Sequence, residues 1–369
     1  MKFQIATSKL LEFLHIVLGA VPSKSALPIL GNILIESTDN GIMLAATDLE
    51  ISISTIIDVK PEKTGSLTIP AKMFADIMRE LPETDVAITA ESNRLEVVTK
   101  TGHFKISGIP ADEFPRIPEY LTAKEVKLSG EDFVKMVRKT SFAVSGDESR
   151  PALNGVLWQT AGDKMVMVAT DGHRLAKISV DNTKLKGLSE DLIIPPKAMN
   201  AVMKLIGDKH KEIGVVFGDK NIMFRIGSTV ISSKLFEGPY PNFDQVIPVD
   251  NDKRLVIRKD DLLSSVRRVS ILSNSLTHQV KFSVDKNKLT LSATNIDLGG
   301  EAKEELPCEY KYDKMELGYN ATYIEDILKQ MDSEDVVFEL SSPVSAGIIY
   351  AADRTDDYLC LVMPLRLAD

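Results

Sequence analysis

The chain has 369 residues, 44% of them hydrophobic and 26% charged, with a formal net charge of −9. This balance excludes a disordered chain and leaves room for two or three domains with proper cores. The acidic total also excludes a protein that coats nucleic acid over its whole surface, because phosphate binding needs concentrated Lys and Arg. It leaves open a basic lining enclosed by an acidic exterior.

The two cysteines, Cys308 and Cys360, lack metal spacing and are too few for a disulfide framework. A reducing, cytoplasmic setting is expected, with no zinc site and no cofactor. The N-terminus has no charged-then-apolar signal pattern, and no apolar run approaches the roughly 20 residues needed to cross a bilayer. No membrane contact is expected.

In chain order, each third of the sequence repeats one succession of elements. A first helix is predicted over Lys9 to Leu18, Glu131 to Ser141 and Asp260 to Ile271. Strand pairs follow around Thr47-Asp48, Thr170-Asp171 and Thr294-Asn295. A second helix then starts after Leu67-Thr68-Ile69-Pro70, Leu192-Ile193-Ile194-Pro195 and Glu316-Leu317-Gly318-Tyr319. Proline suits a first helical turn, where its missing N–H is not needed, so starts are predicted at Ala71 and Pro196. Alternating runs over Val86 to Thr89, Arg94 to Val98, Ile213 to Phe217 and Val336 to Leu340 read as strands. Proline-rich connectors at Phe114 to Pro118 and from Tyr240-Pro241 onward close the first two copies. The expected domains are 1–120, 121–250 and 251–369, each an α+β unit with two helices on one face of a sheet. Three unrelated domains of matching length are the alternative.

Positive charge recurs on the helices. Arg79, Lys204 and Lys329 hold one equivalent position in the three second helices, and Lys72 and Lys197 match in the first two. Residues seven apart share a helix face, so Lys72 with Arg79 and Lys197 with Lys204 form stripes. Arg138-Lys139 and Arg267-Arg268 are equivalent in the first helices. Any one stripe reads as a solvated helix face. Recurrence in successive copies points instead to a common lining that attracts phosphate without reading bases.

The middle landmark, Val168 to Ala176, is a β-like run broken by Asp-Gly, so the chain must turn and present His173 and Arg174 at a sheet margin. The sequence has no Gly-x-Gly-x-x-Gly, Walker loop, His-Glu-x-x-His or Gly-x-Ser-x-Gly. A hydrolase would have to rest on Asp171, His173 and Arg174, with no nucleophile beside them. A peptide-binding scaffold that never encircles DNA is a second alternative. The acidic run Glu301 to Glu305 lacks a calcium-loop pattern and reads as a solvated or interface edge.

Together these residues resemble the bacterial sliding-clamp family, the β subunits of DNA polymerase III. The landmarks are Leu27 to Asn32, Thr47 to Glu50, Ala169 to Ala176, Ile271 to Asn274 and Val362 to Leu367, in order along the whole chain. The resemblance implies three clamp (processivity-fold) domains in a head-to-tail homodimer, with helices lining a ring around duplex DNA and sheets outside. It implies no catalytic site, since ATP hydrolysis belongs to a separate clamp loader.

The resemblance also implies three sets of site residues. A pocket for short hydrophobic motifs of the polymerase III α subunit, the clamp loader, other polymerases and repair proteins would be lined by Leu153, Thr170, Gly172, His173, Arg174, Leu175, Pro241, Val246, Asn320, Tyr323, Val344, Val362, Met363, Pro364, Leu365 and Arg366. Duplex DNA would meet Lys24, Lys72, Arg79, Arg138, Lys139, Arg150, Lys197 and Lys204. The dimer interface would bring Phe104 and Ile106 to Ile271 and Leu272, with His103 and Lys105 near Glu301, Glu304 or Glu305. Met73 and Gln245 depart from residues found in some relatives, and Ala368-Asp369 extend past a common Arg-Leu ending.

Overall fold

The computed structural model describes residues 1–118, 125–182, 191–207, 210–295 and 299–367. The expected boundary at 120 and the Ala368-Asp369 extension lie outside the described residues.

The first third contains β1 (Lys2–Ala6), α1 (Thr7–Val17), β2 (Asn32–Thr38), β3 (Gly41–Thr47), β4 (Ile51–Ile57), β5 (Ser66–Pro70), α2 (Ala71–Glu80), β6 (Asp85–Glu91), β7 (Arg94–Val98) and β8 (His103–Ser107). The second contains β9 (Val126–Ser129), α3 (Gly130–Thr140), β10 (Val156–Ala161), β11 (Lys164–Thr170), β12 (Arg174–Asp181), β13 (Asp191–Ile194), α4 (Pro196–Leu205), β14 (Glu212–Phe217), β15 (Asn221–Ile226) and β16 (Thr229–Lys234). The third contains β17 (Lys253–Arg258), α5 (Lys259–Ser270), β18 (Gln279–Asp285), β19 (Lys288–Asn295), β20 (Gly300–Pro307), β21 (Met315–Asn320), α6 (Ala321–Lys329), β22 (Asp335–Leu340), β23 (Gly347–Ala351) and β24 (Asp357–Val362). Every third is thus two βαβββ halves. Each half lends its leading strand to the other: β1 pairs with β6, and β5 with β2.

The helices are amphipathic for a simple reason of spacing. In α2, Ala71, Phe74, Ala75 and Met78 are buried at helical intervals, which leaves Lys72 and Arg79 exposed beside that stripe. Two helices start at the predicted Ala71 and Pro196, directly after a proline. At α6 the side chain of Asn320 accepts from the N–H of Thr322, satisfying one of the helix's first free donors.

Two compact units result, Met1–Val134 with Ile194–Leu235, and Lys135–Ile193 with Phe236–Asp369. The first has a four-stranded sheet ordered β1-β6-β7-β8 and an eight-stranded sheet ordered β5-β2-β3-β4-β16-β15-β14-β9. The second has an eight-stranded sheet ordered β13-β10-β11-β12-β24-β23-β22-β17 and a four-stranded sheet ordered β20-β19-β18-β21. Each eight-stranded sheet joins strands of two successive thirds, at β4·β16 and at β12·β24. Phe3, Leu10, Ile33 and Phe74 are fully buried in the first unit, and Trp158, Phe282, Tyr319 and Phe338 in the second. Among the described residues no helix is long and apolar enough to cross a membrane.

Candidate partner-peptide pocket and nucleic-acid surface

The Thr-Asp landmark is a turn built the same way in two repeats. The Thr170 hydroxyl donates to the carbonyl of Arg174 at 2.6 Å and accepts from the N–H of Gly172 at 3.1 Å. The Asp171 carboxylate accepts from the backbone N–H groups of His173 and Arg174 at 2.8 and 2.9 Å. In the first repeat Thr47 and Asp48 make the same four bonds, to Ile51, Leu49, Glu50 and Ile51. Both turns need a left-handed residue after the Asp. Gly172 takes φ +89° without steric penalty, whereas Leu49 is held at φ +77°.

What distinguishes the middle turn is the Arg174 guanidinium, only 8% exposed. It donates to Asp171 at 3.1 Å, to Asp326 on α6 at 2.8 Å and to the carbonyl of Phe142 at 2.7 Å. It also lies 4.5 Å from the Tyr323 ring centre and 5.3 Å from that of Phe142. A buried cation so fully paired is a structural brace rather than a free donor. His173, exposed beside it, stacks on Tyr323 with ring centres 6.5 Å apart, and its carbonyl accepts from the N–H of Met363 at 2.8 Å.

The residues expected in the pocket therefore divide into surface and support. Val246, Val344 and Met363 are 56%, 71% and 40% exposed, and they supply apolar surface without a partner of their own in the core. Leu153 and Leu175 are buried, with Leu175 packed in a cluster that includes Leu361 and Phe243. Val362 is fully buried opposite Arg174 in the β12·β24 ladder, and Leu361, one residue earlier, is also buried and faces Leu175. Alternation along a strand puts the two on opposite faces of the sheet. Pro241 lines a neighbouring groove with Tyr240 and Phe243. Leu365 bridges to Gly318, and the carbonyl of Arg366 accepts from Gln279, which pins the chain end beside Asn320.

The expected cations also separate. Lys24, Lys72 and Lys204 are exposed, as is Arg138. Lys24 and Lys72 share one groove, and Lys197 and Lys204 share a cavity of about 670 Å³. Arg79, Arg150 and Lys197 are exposed but paired to Asp76, Asp147 and Asp48. Lys139 departs from the expected exposed cation. It is 5% exposed, bonded to Asp332 at 2.7 Å and Asp356 at 2.9 Å, and sits 4.8 Å from the Tyr358 ring centre. Burial favours loss of its proton, but the hydrogen bonds it donates to Asp332 and Asp356 outweigh this and hold its pKa above the usual lysine range. Such a lysine braces the fold and is withdrawn from any phosphate.

Of the expected interface residues, Ile271 is 74% exposed, Phe104 is half-buried and Ile106 is already 3% exposed within its own chain. Glu304 is held by Arg268 and Ser265, each at 2.6 Å, and Arg268 draws its pKa down to about 2. Glu301 and Glu305 lie on the exposed face of β20.

A triplicated chain of paired βαβββ halves, whose helices carry cations and whose strands join repeat to repeat, defines the processivity-fold class. Family sequence models agree: those of the N-terminal, central and C-terminal domains of the DNA polymerase III beta subunit match residues 1–118, 127–242 and 244–366. The chain is 34% identical over 370 residues to the beta sliding clamp of Escherichia coli K12, and 33% identical over 371 residues to that of Chlamydia muridarum, with both chains covered in full in each case. The sliding clamp of Bartonella birtlesii, solved bound to griselimycin, superposes with a TM-score of 0.94 at 31% identity over all of both chains. The DNA polymerase III beta subunit of Pseudomonas aeruginosa gives 0.93 at 31% over all of both chains. The chain belongs to the bacterial DNA polymerase III beta subunit family, the beta sliding clamps. It is a DNA sliding clamp, an accessory processivity factor of replication that performs no catalysis itself.

Proposed function

We propose that two copies of this chain join head to tail into a ring of six domains, divided at 1–120, 121–250 and 251–369, that encircles duplex DNA. The observation that carries this reading is a pair of complementary sheet edges. Successive repeats already join through one strand type: β4 with β16, and β12 with β24. The third pair of that series, β20 and β8, ends the two four-stranded sheets at opposite ends of the chain. An unpaired strand edge invites a further strand, and a second copy supplies it.

The repeats also supply a register. Ile53 faces Ile231 at the first joint, and Ala176 faces Cys360 at the second. The hairpins align these with Ala302 and Phe104, so Phe104 of one copy would face Ala302 of the other. Lys105 then falls opposite Glu301, and His103 opposite Lys303. Leu272 packs against Gly300 and supports the same edge, while Glu304 stays with Arg268.

The same comparison separates the three joints chemically. One slot holds Leu175 facing Leu361 at the second joint, Ser52 facing Ser232 at the first, and Glu301 with Lys105 at the proposed third. Only the second is apolar. The pocket for short hydrophobic motifs of the polymerase α subunit, the clamp loader, other polymerases and repair proteins is therefore read there, around His173, Tyr323, Val246, Val344, Leu361 and Met363. Apolar anchors with a few polar fixers suit such a peptide. Exposed Lys24, Lys72, Arg79, Arg138, Arg150, Lys197 and Lys204 are read as the DNA surface, in the cytoplasm. Their weak contacts meet phosphates of any sequence, and enclosure supplies retention.

Cysteines at positions 105 and 301 test the register. Lys105→Cys with Glu301→Cys should form an intersubunit disulfide under mild oxidation, since directly opposed strand residues fall within bridging distance. Failure to cross-link, with native melting, would refute the pairing.

A further inference from the structure

The two joints within the chain differ on their helix side. Around β12 and β24, between α3 and α6, bulky side chains fill the space: Lys139 lies on Tyr358, and Arg174 lies between Phe142 and Tyr323 and bonds Asp326. Around β4 and β16, the helices align so that Ile16 replaces Lys139, Gly19 replaces Phe142, Ala198 replaces Tyr323 and Ala201 replaces Asp326. The smaller side chains leave the cavity of about 670 Å³ noted above. The cavity opens to solvent beside exposed His15, Asn200 and Lys204, and its volume falls within the roughly 300–1,000 Å³ range of small-ligand sites.

The chemistry of the cavity is specific. Ile16, Ile53, Ala201 and Leu205 give aliphatic walls, while His15, Lys197, Asn200 and Lys204 bring polar groups to it. Aliphatic walls receive a flat apolar body, and the Asn200 amide offers both a donor and an acceptor for its edge. The exposed ammonium group of Lys204 suits a phosphate attached to that body. Lys197 is paired to Asp48 and forms part of the polar wall.

We propose that this cavity is a nucleotide subsite, which takes one base from an unpaired stretch of DNA and holds its phosphate on Lys204. The inference rests on the reading that α4 faces DNA. A duplex keeps its bases stacked and would contribute only phosphates, whereas an unpaired base can leave the strand and bury a face between apolar side chains. A free nucleotide presents the same chemistry from another source.

Full-length protein carrying labelled Ile and Leu methyl groups is titrated with a thymidine dodecamer and, separately, with deoxyadenosine monophosphate. The dodecamer should shift the Ile16, Ile53 and Leu205 methyls to saturation, and the mononucleotide should shift the same methyls at higher concentration. Ala201→Phe fills the cavity and keeps both lysines. It should weaken dodecamer binding by about tenfold, the loss of roughly one buried base, while retention on closed circular duplex stays at the native level. Lys204→Glu, a surface change that spares the fold, should weaken it comparably. Methyls unmoved at saturating dodecamer overturn the proposal, as does native dodecamer affinity in both variants. Methyl shifts with the mononucleotide alone overturn the DNA source. Loss of native retention on circular duplex would instead indict the ring reading.

Discussion

Leu49 and Gly172 occupy one position in two copies of one turn, and only one of them is suited to it. Left-handed backbone costs a side-chain-bearing residue roughly 1–2 kcal/mol, part of which glycine gives back through its larger freedom when unfolded. Leu49 is 42% exposed, so its partly covered side chain offsets only part of that cost. Leu49→Gly should therefore stabilise the protein by about 0.5–1 kcal/mol in urea unfolding; an unchanged or lower midpoint would mean that the Leu49 side chain contributes more than its backbone strain costs. Lys139 makes the opposite kind of test. Removing it leaves the largely buried Asp356 with Lys135 alone, so Lys139→Ala should cost about 1–2 kcal/mol of stability. The salt dependence of DNA loading should stay native, whereas Lys72→Ala with Lys204→Ala should reduce that dependence and leave melting unchanged. A stable Lys139→Ala with weakened loading would return Lys139 to the DNA surface.

At the scale of elements, the repeat accounts for placing the proposed peptide pocket at the second joint. His173 and Met363 correspond to Glu50 and Lys234, which form an ion pair at 3.1 Å in the first unit. His173→Glu with Met363→Lys transplants that pair onto exposed positions. It should weaken binding of a hydrophobic clamp-binding peptide by at least about tenfold, through lost apolar contact and added desolvation, without loss of melting temperature. Native affinity would exclude these residues from the pocket. The helix starts at Ala71 and Pro196 were legible because proline and apolar spacing act locally. The Thr-Asp landmark was legible as a turn for the same reason. Lys139 was misplaced because its apparent equivalence to exposed cations says nothing of Asp332 and Asp356, both distant in sequence. Leu361 was not singled out in the sequence because its place beside Leu175 is set by the pairing register, which local sequence does not carry.

For the whole molecule, the acidic total and the basic helices describe one division of labour. Sequence alone carried the family and the threefold plan, since landmarks recur along the entire chain. The proposed pairing of β8 with β20 rests on the sheet order, because neither edge announces in sequence that it lacks a neighbour. Enclosure is the central claim, and it is tested by loading the protein onto nicked circular DNA, removing free protein by gel filtration, and then linearising the circle. Retention on the circle at moderate salt, followed by loss once ends exist, is the result expected of a closed ring held by topology. Equal retention before and after linearisation would show a protein bound by contact alone, contradicting the account.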